Sequence, residues 1–418
     1  MSKFLKSFLT LAIALLIASC SSEEELRQTP VVSSDNNVIT IDEAKQDLLG
    51  LLADIETADT ESRTSHRTIE SSFTTKLGDA SSRSDEEALP IHVFNFADDN
   101  GFAIMSGDKR VPSLIALAEK GSFPQDTIID NPGLAIFLER MGNQGPSKIK
   151  DKTPYPYVDP NDPETFKIYG EWENTIYKDY GYCFVKWGQR DPYNYYCPEK
   201  DGEKCATGCV ATALAQLMSI YKQPSSYNGY SFDWEKMTLT STPFEDAQKD
   251  IARLMQQLGL KKNLDMDYGY NSGAYPENIP RTLKAFGYSS GGKLVNYNTD
   301  DIVKELKLGY SVLVGGRSQK NGNGHRWLVH GLLERKQVNE LYTKEGVYAG
   351  KQTIIKYYPL CNWGWEGRHD GYYLSNAFNG SPKFFDDGTQ YSTANDPFVN
   401  YSKPDYVSKI NMVIGIRK

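Results

Sequence analysis

Cys205-Ala206-Thr207-Gly208-Cys209-Val210-Ala211-Thr212-Ala213-Leu214-Ala215-Gln216-Leu217-Met218 passes from small, loop-forming residues into a run rich in Ala, Leu and Met. Those side chains favour helix, and the spacing predicts one over Cys209 to Tyr221. Cys209 then stands in the first helical turn, where unpaired N–H groups and the positive end of the dipole favour a thiolate, the reactive form of cysteine. Gly208, lacking a Cβ, leaves room for a second backbone beside it. Taken alone the segment fits a buried structural cysteine in a core helix equally well.

A nucleophilic thiolate needs a base, and the chain holds five His: His66, His92, His325, His330 and His369. His325 follows Gly322-Asn323-Gly324 and opens the strand Arg326-Trp327-Leu328-Val329, so its ring sits at a strand end. His330 lies five positions on and, on a regular strand, faces the other side. His66 and His92 read as surface or packing residues, and His369, in a turn between Arg368 and Asp370, as an exposed polar residue. Cys361-Asn362-Trp363-Gly364-Trp365-Glu366-Gly367 supplies an amide oxygen to accept the second imidazole N–H and an indole to shield that bond. It reads otherwise as an aromatic turn that packs the core. Gln189, in Trp187-Gly188-Gln189 and upstream of Cys209, offers a side-chain N–H that, with the Cys209 backbone N–H, would bind an oxyanion.

These four segments, in this order, resemble the streptopain family of papain-like cysteine proteases. The resemblance continues through Pro192-Tyr193-Asn194, Asp267-Tyr268-Gly269, Ser272-Gly273-Ala274 and Ile414-Gly415-Ile416-Arg417. In the N-terminal part, Gly101 to Arg110 and Gly121-Ser122-Phe123 look like the propeptide of that family. The resemblance implies Cys209 as nucleophile, His325 as base, Gln189 as oxyanion donor, Asn362 and Trp363 as groups that position the histidine, and Ser272, Gly273 and Ala274 as lining of the substrate cleft. It also implies an acidic residue about where this chain has His330, a departure expected to bear on local packing or substrate preference.

The N-terminus adds a second expectation. Lys3 and Lys6 precede an apolar run, Phe8 to Ala18, that is too short to span a bilayer comfortably and ends in Ile17-Ala18-Ser19-Cys20. This looks like a lipoprotein signal, cleaved before Cys20, which would then carry the lipid. Glu23 to Glu25 resemble a surface-export signal, so the outer membrane or cell surface is expected. The expected organisation is a signal over 1–19, a tether over 20–37, an inhibitory prodomain over 38–150, a linker over 151–165 and a catalytic domain over 166–418.

Within the prodomain, Thr40 and Glu43 form a capping box before Ile41, Ala44, Leu48, Leu51, Leu52 and Ile55 at helical spacing. Residues Thr57 to Asp85 are rich in Ser, Thr and charge. A hairpin follows over Ile91 to Phe96 and Phe102 to Ser106, then an apolar run at Leu114 to Ala118 and a helix over Leu134 to Met141. The segment from Gly142 to Glu171, with five Pro and a Lys cluster, reads as exposed and cleavable. Beyond it, helices at Phe244 to Leu258 and Ile302 to Leu306 and strands at Ser311 to Val314, Trp327 to Leu333, Gln352 to Tyr358, Tyr372 to Leu374 and Ile410 to Ile416 imply an α+β fold.

The net charge of −8 offers no basic field for phosphates, so nucleic acid is not an expected partner. Of six Cys, five remain beside Cys20, and neither they nor the dispersed His form a zinc-ligand pattern. No cofactor is expected. The expected partners are protein or peptide substrates, the chain's own prodomain as inhibitor, and a membrane through lipid alone. Two other functions fit less of the sequence: a catalytically silent surface-binding lipoprotein, and a Cys-His amidase or acyltransferase.

Overall fold

Thr40 and Glu43 close the capping box that opens the first helix. The Thr40 N–H donates to Glu43 Oε2 at 2.7 Å and the Glu43 N–H to Thr40 Oγ1 at 3.3 Å. This pair begins the described part of a computed structural model, which covers 37–58, 67–78, 88–125, 129–148, 165–168, 170–178, 182–318, 321–343, 345–379 and 410–418. The signal, Cys20, the tether and most of the expected linker lie outside it.

The elements before residue 150 are α1 (Ile41–Ala58), β1 (Ile69–Leu77), β2 (Leu89–Phe96), β3 (Phe102–Ser106), β4 (Leu114–Ala118) and α2 (Pro132–Lys148). The expected hairpin is β2 with β3, in the register Ile91↔Ser106 to Asn95↔Phe102. Two expectations need correction. The polar stretch after Thr57 contains β1, an edge strand whose Ile69, Phe73 and Leu77 are partly buried on one face while the residues between them are mostly exposed. The helix expected to end at Met141 runs on to Lys148, so the interdomain segment is shorter than Gly142 to Glu171. Asn131 starts that helix, its Oδ1 accepting from the N–H groups of Gly133 at 3.0 Å and Leu134 at 3.2 Å.

After residue 164 come β5 (Thr165–Ile168), β6 (Trp172–Tyr177), β7 (Glu199–Lys200), β8 (Glu203–Lys204), α3 (Cys209–Tyr221), β9 (Ser226–Tyr227), β10 (Tyr230–Ser231), α4 (Trp234–Met237), α5 (Glu245–Gly259) and α6 (Asn278–Ala285). Then follow β11 (Ser290–Asn296), α7 (Thr299–Lys307), β12 (Val312–Arg317), β13 (Gly324–Thr343), β14 (Tyr348–Asn362), β15 (Gly371–Tyr373) and β16 (Asn411–Arg417). The strands at 327–333 and 352–358 are the inner parts of β13 and β14, which form one long hairpin. β5 to β11, α4 and α6 were not read from sequence.

One twelve-stranded sheet runs in the order β1-β2-β3-β4-β15-β14-β13-β12-β16-β11, with β5 and β6 also paired to β13. The N-terminal segment is thus joined to the rest through the sheet itself, by Ala118↔Gly371, Leu117↔Tyr372 and Ala116↔Tyr373. Side chains alternate between two cores along these strands. Trp327 and Val329 of β13 join Val312 and Val314 of β12 in a core that also holds Leu48, Phe94, Phe137 and Trp363. Leu328 and Leu313 point the other way, into a core with Ala211, Leu214 and Leu217 of α3 and Leu254 of α5.

Candidate active site

Gly208 precedes α3 at φ 85°, a conformation costly for any residue with a Cβ. A Cβ here would also lie 2.8 Å from Met266 Sδ and 3.0 Å from the Ser272 carbonyl oxygen. The loop expected to line a cleft therefore abuts the residue before Cys209. Ser272 is tied to its own turn, its Oγ accepting from the Gly269 N–H at 3.0 Å, and Gly273 pairs with Asp267. Ala274 is partly buried against the α3 core.

The Trp187-Gly188-Gln189 loop is strapped to the start of α3. The Thr207 N–H donates to the Gln189 carbonyl at 3.0 Å, and Gln216 Nε2 donates to the Trp187 carbonyl at 3.1 Å. Gln189 itself is half-buried, so its backbone is fixed beside the helix start that carries Cys209.

Backbone N–H groups of Arg326 and Val210 and the charge of the Arg326 guanidinium favour the Cys209 thiolate. Burial outweighs them and pushes the thiol above its ordinary range. The helix-start thiolate expected from sequence is thus not favoured in this form of the molecule. His325 is buried too, and its Nε2 lies 2.8 Å from the Trp363 carbonyl oxygen. Burial lowers the imidazole to about 4, the carbonyl contact opposes that shift, and the Arg326 charge adds to it. Thiol and imidazole are therefore both neutral at neutral pH, and among the described residues no hydrogen bond joins them.

Asn362 and Trp363 are placed otherwise than expected. Asn362 Oδ1 accepts from Gln216 Nε2 at 2.9 Å and from the Gly364 N–H at 3.0 Å, while its Nδ2 donates to the Val185 carbonyl at 3.0 Å. The cause is register: Asn362 pairs with Leu328, which faces α3, whereas His325 shares the opposite face with Trp327. The Trp363 indole is fully buried, donates to the His369 carbonyl at 2.8 Å and packs on Trp327 and Tyr373 with centroids 5.0 Å apart. The rings beside His325 are Trp327, parallel to it, and Trp365, edge-on, each 6.2 Å away. It is the Trp363 carbonyl, not its ring, that meets the histidine.

His330 lies on β13 away from the sulfur, its Nδ1 accepting from the Cys183 N–H at 3.0 Å and its ring 5.1 Å from that of Tyr182. His92 is a packing residue, bridging Thr74 Oγ1 and the Ile39 carbonyl at 2.8 Å each. His369, expected to be exposed, is 3% exposed and lies 5.7 Å from the Phe102 ring. The N-terminal segment is what covers it: the His369 N–H donates to the Lys120 carbonyl at 2.9 Å.

That segment also reaches the Trp363 ring. A Cβ on Gly133 would lie 2.1 Å from Trp363 Cε3, so the start of α2 rests directly on the indole. Lys186 sits between Asp370 at 3.2 Å and Glu119 of the N-terminal segment at 3.8 Å. Arg326 is the site residue that sequence reasoning passed over; the available signal was a charge at the head of an apolar strand run, beside His325. Among the described residues no group of three or more His, Cys, Asp or Glu is gathered as a metal would need.

Comparison with known proteins matches residues 187–373 to the Peptidase C10 family and residues 37–144 to the Spi protease inhibitor family. Streptopain of Streptococcus pyogenes is 27% identical over 337 residues, covering 70% of this chain and 75% of streptopain. The thiol protease/hemagglutinin PrtT of Porphyromonas gingivalis is 24% identical over 332 residues, covering 70% of this chain and 34% of PrtT. A solved fragment of prointerpain A from Prevotella intermedia is similar in fold, with a TM-score of 0.50 at 22% identity, covering 83% of this chain and 99% of the fragment.

Proposed function

Because this chain is a streptopain-like cysteine peptidase of the C10 family, made as a zymogen with a Spi-type inhibitor domain ahead of its catalytic domain, we propose that it is an endopeptidase in which Cys209 attacks and His325 carries the proton. The observation that carries this reading is the seat of Cys209, at the head of a buried helix with the Gln189 loop strapped alongside. Attack on a peptide carbonyl forms a thioester as the C–N bond breaks and the amine leaves with the thiol proton passed through His325; water then gives a proton to His325 and hydrolyses the thioester, releasing the acid, and His325 returns that proton to the sulfur. Gln189 and the Cys209 N–H bind the oxyanion of each tetrahedral intermediate. Ser272, Gly273 and Ala274 line the cleft.

The form described here is the resting zymogen. His325 is engaged with Trp363, whose ring is pressed by Gly133, so removal of the prodomain frees the histidine to turn toward the thiol. We further propose that the precursor is anchored by lipid on Cys20 at the outer membrane or cell surface, a reading supported by Lys3, Lys6, the apolar run and Ile17-Ala18-Ser19-Cys20.

The test is cleavage of casein by wild type and Cys209→Ala after incubation, paired with labelling by an epoxide that alkylates activated thiolates. Wild type is expected to cleave and to be labelled on Cys209. Casein cleavage by the alanine variant, or a wild type that folds but neither labels nor cleaves, sinks the endopeptidase reading. Release of Cys20→Ala from membranes that retain wild type tests the anchor.

A further inference from the structure

We propose that Arg326 is a positioning residue for the Cys209 and His325 pair: its buried guanidinium, held on the thiol's side of the sheet, sets the pH window in which the pair is reactive. The proposal rests on the assignment of Cys209 as nucleophile and His325 as base. Arg326 follows His325 in sequence, and strand alternation turns it to the face that packs on α3, with Leu328. Helix α3 runs alongside this strand, since Cys183 touches both His330 and Ser219 and Gln216 bonds Asn362 opposite Leu328, so the head of α3 with Cys209 lies toward Arg326. The Arg326 side chain is 5% exposed and is held by Nη1 donating to the Leu313 carbonyl at 3.3 Å and Nη2 donating to Asn411 Oδ1 at 2.5 Å. Both acceptors are neutral, so neither cancels the charge. The space for the guanidinium comes from its strand partner, since a Cβ on Gly315 would lie 2.6 Å from Arg326 Cζ.

A fixed cation acts on the two partners in one direction. It favours the thiolate over the thiol and disfavours the imidazolium, so it draws both titrations to lower pH. Among the described residues the titratable groups that act on it are Cys209 at the head of α3 and Glu277, just before α6, whose negative charge partly offsets it. On the other face of the strand, His325 meets the Trp363 carbonyl and feels the same charge. At an effective dielectric near 20, a unit charge within about 10 Å moves a titration by about one pH unit or more. The acid and alkaline limbs of kcat/KM should therefore both lie about one pH unit lower than they would without Arg326.

The experiment compares full-length wild type, Arg326→Gln, Arg326→Lys and Gly315→Ala, each allowed to process and then assayed for kcat/KM on a peptide from acid to alkaline pH. In parallel, the rate of Cys209 alkylation by iodoacetamide is read by mass on the Cys209 peptide. Arg326→Gln is expected to move both limbs and the alkylation curve up by about one pH unit, and Arg326→Lys to restore most of the wild-type position. An active Arg326→Gln whose limbs and alkylation coincide with wild type overturns the proposal. If that variant does not fold, Gly315→Ala decides, because it displaces the guanidinium and keeps the charge: moved limbs support the proposal and unmoved limbs overturn it. Cys209→Ala, run alongside, separates the two claims, since activity in that variant removes the underlying site assignment instead.

Discussion

Two amides near Cys209 offer a contrast that activity and stability measurements can separate. Gln189 sits on a loop whose backbone is tied to Thr207, and its side chain is half-buried beside the start of α3. Gln189→Ala should lower kcat by about 10²-fold or more with little change in melting temperature, as expected of a lost oxyanion donor. Asn362 is instead fully buried and shares hydrogen bonds with Gln216, Gly364 and Val185. Asn362→Ala leaves those partners unsatisfied, so unfolding of the full chain by denaturant should show a loss of about 1–3 kcal/mol. An Asn362→Ala precursor as stable as wild type would mean that this network contributes nothing. Cys209, His325 and Gln189 stood out as candidates because the proposed chemistry requires those residue types at an element's end, and the structure places Cys209 at the head of α3 and His325 at the start of β13. The engagement of His325 with a carbonyl was not legible, because a backbone oxygen has no residue identity to read.

At the level of elements, α2 and β4 do the holding. Strand β4 pairs with β15, and the start of α2 lies against Trp363, whose carbonyl meets His325. Gly133 is the point of closest approach, where a side chain has no room. Gly133→Val should therefore lift α2 from the indole, speed conversion of precursor to mature enzyme several-fold and leave kcat of the mature enzyme unchanged, since the substituted segment is gone by then. Time courses of processing on gels check this, and an unchanged rate would mean that the contact does not restrain His325. Elements with strong local signals were readable from sequence: α1 from its capping box and apolar spacing, α3 from its propensity, the β2 and β3 hairpin from its turn. β1 was hidden because an edge strand needs apolar residues on one face only, and Ile69, Phe73 and Leu77 stand among Ser, Thr and charge. The junction of β4 with β15 was hidden for a different reason: it joins Leu117 to Tyr372, and no local pattern reports a pairing at that sequence distance.

For the whole molecule, one continuous sheet, and one of its two cores shared by the prodomain and the catalytic strands, join the described residues from 37 on into a cooperative body, and its buried imidazoles make that body sensitive to acid. Burial lowers His325 to about 4, His330 well below its ordinary value and His369 below its own. Below about 6.5 the unfolded chain binds these protons while the folded zymogen does not, so stability is full above that pH and falls as pH drops toward about 4, on the order of 3 kcal/mol for His325 alone. Asp370, raised by burial, opposes the trend only where carboxylates titrate. Melting temperature of the Cys209→Ala precursor should thus decline from pH 7 to pH 5, and a flat or rising curve would contradict the neutral burial of these rings. The same cooperativity frames activation. Between Lys148, the end of α2, and Thr165, the start of β5, runs a Pro- and Lys-containing segment that joins the inhibitor and catalytic parts without belonging to an element described on either side. The composition of this segment suits binding in a protease cleft, so the precursor should be cut there, and the catalytic part should then separate from the anchor proposed at Cys20 unless the prodomain stays docked. Docking buries the β15 edge, so a cut alone should leave a complex, and full activity should follow only when the prodomain is lost or digested. Purified wild-type precursor should shorten under reducing conditions, faster at pH 5 than at pH 7 per unit of peptidase activity, whereas Cys209→Ala should stay full length unless active enzyme is added. Self-processing of the alanine variant at the wild-type rate, or full activity of uncut precursor, would defeat the zymogen mechanism even if the peptidase chemistry stood.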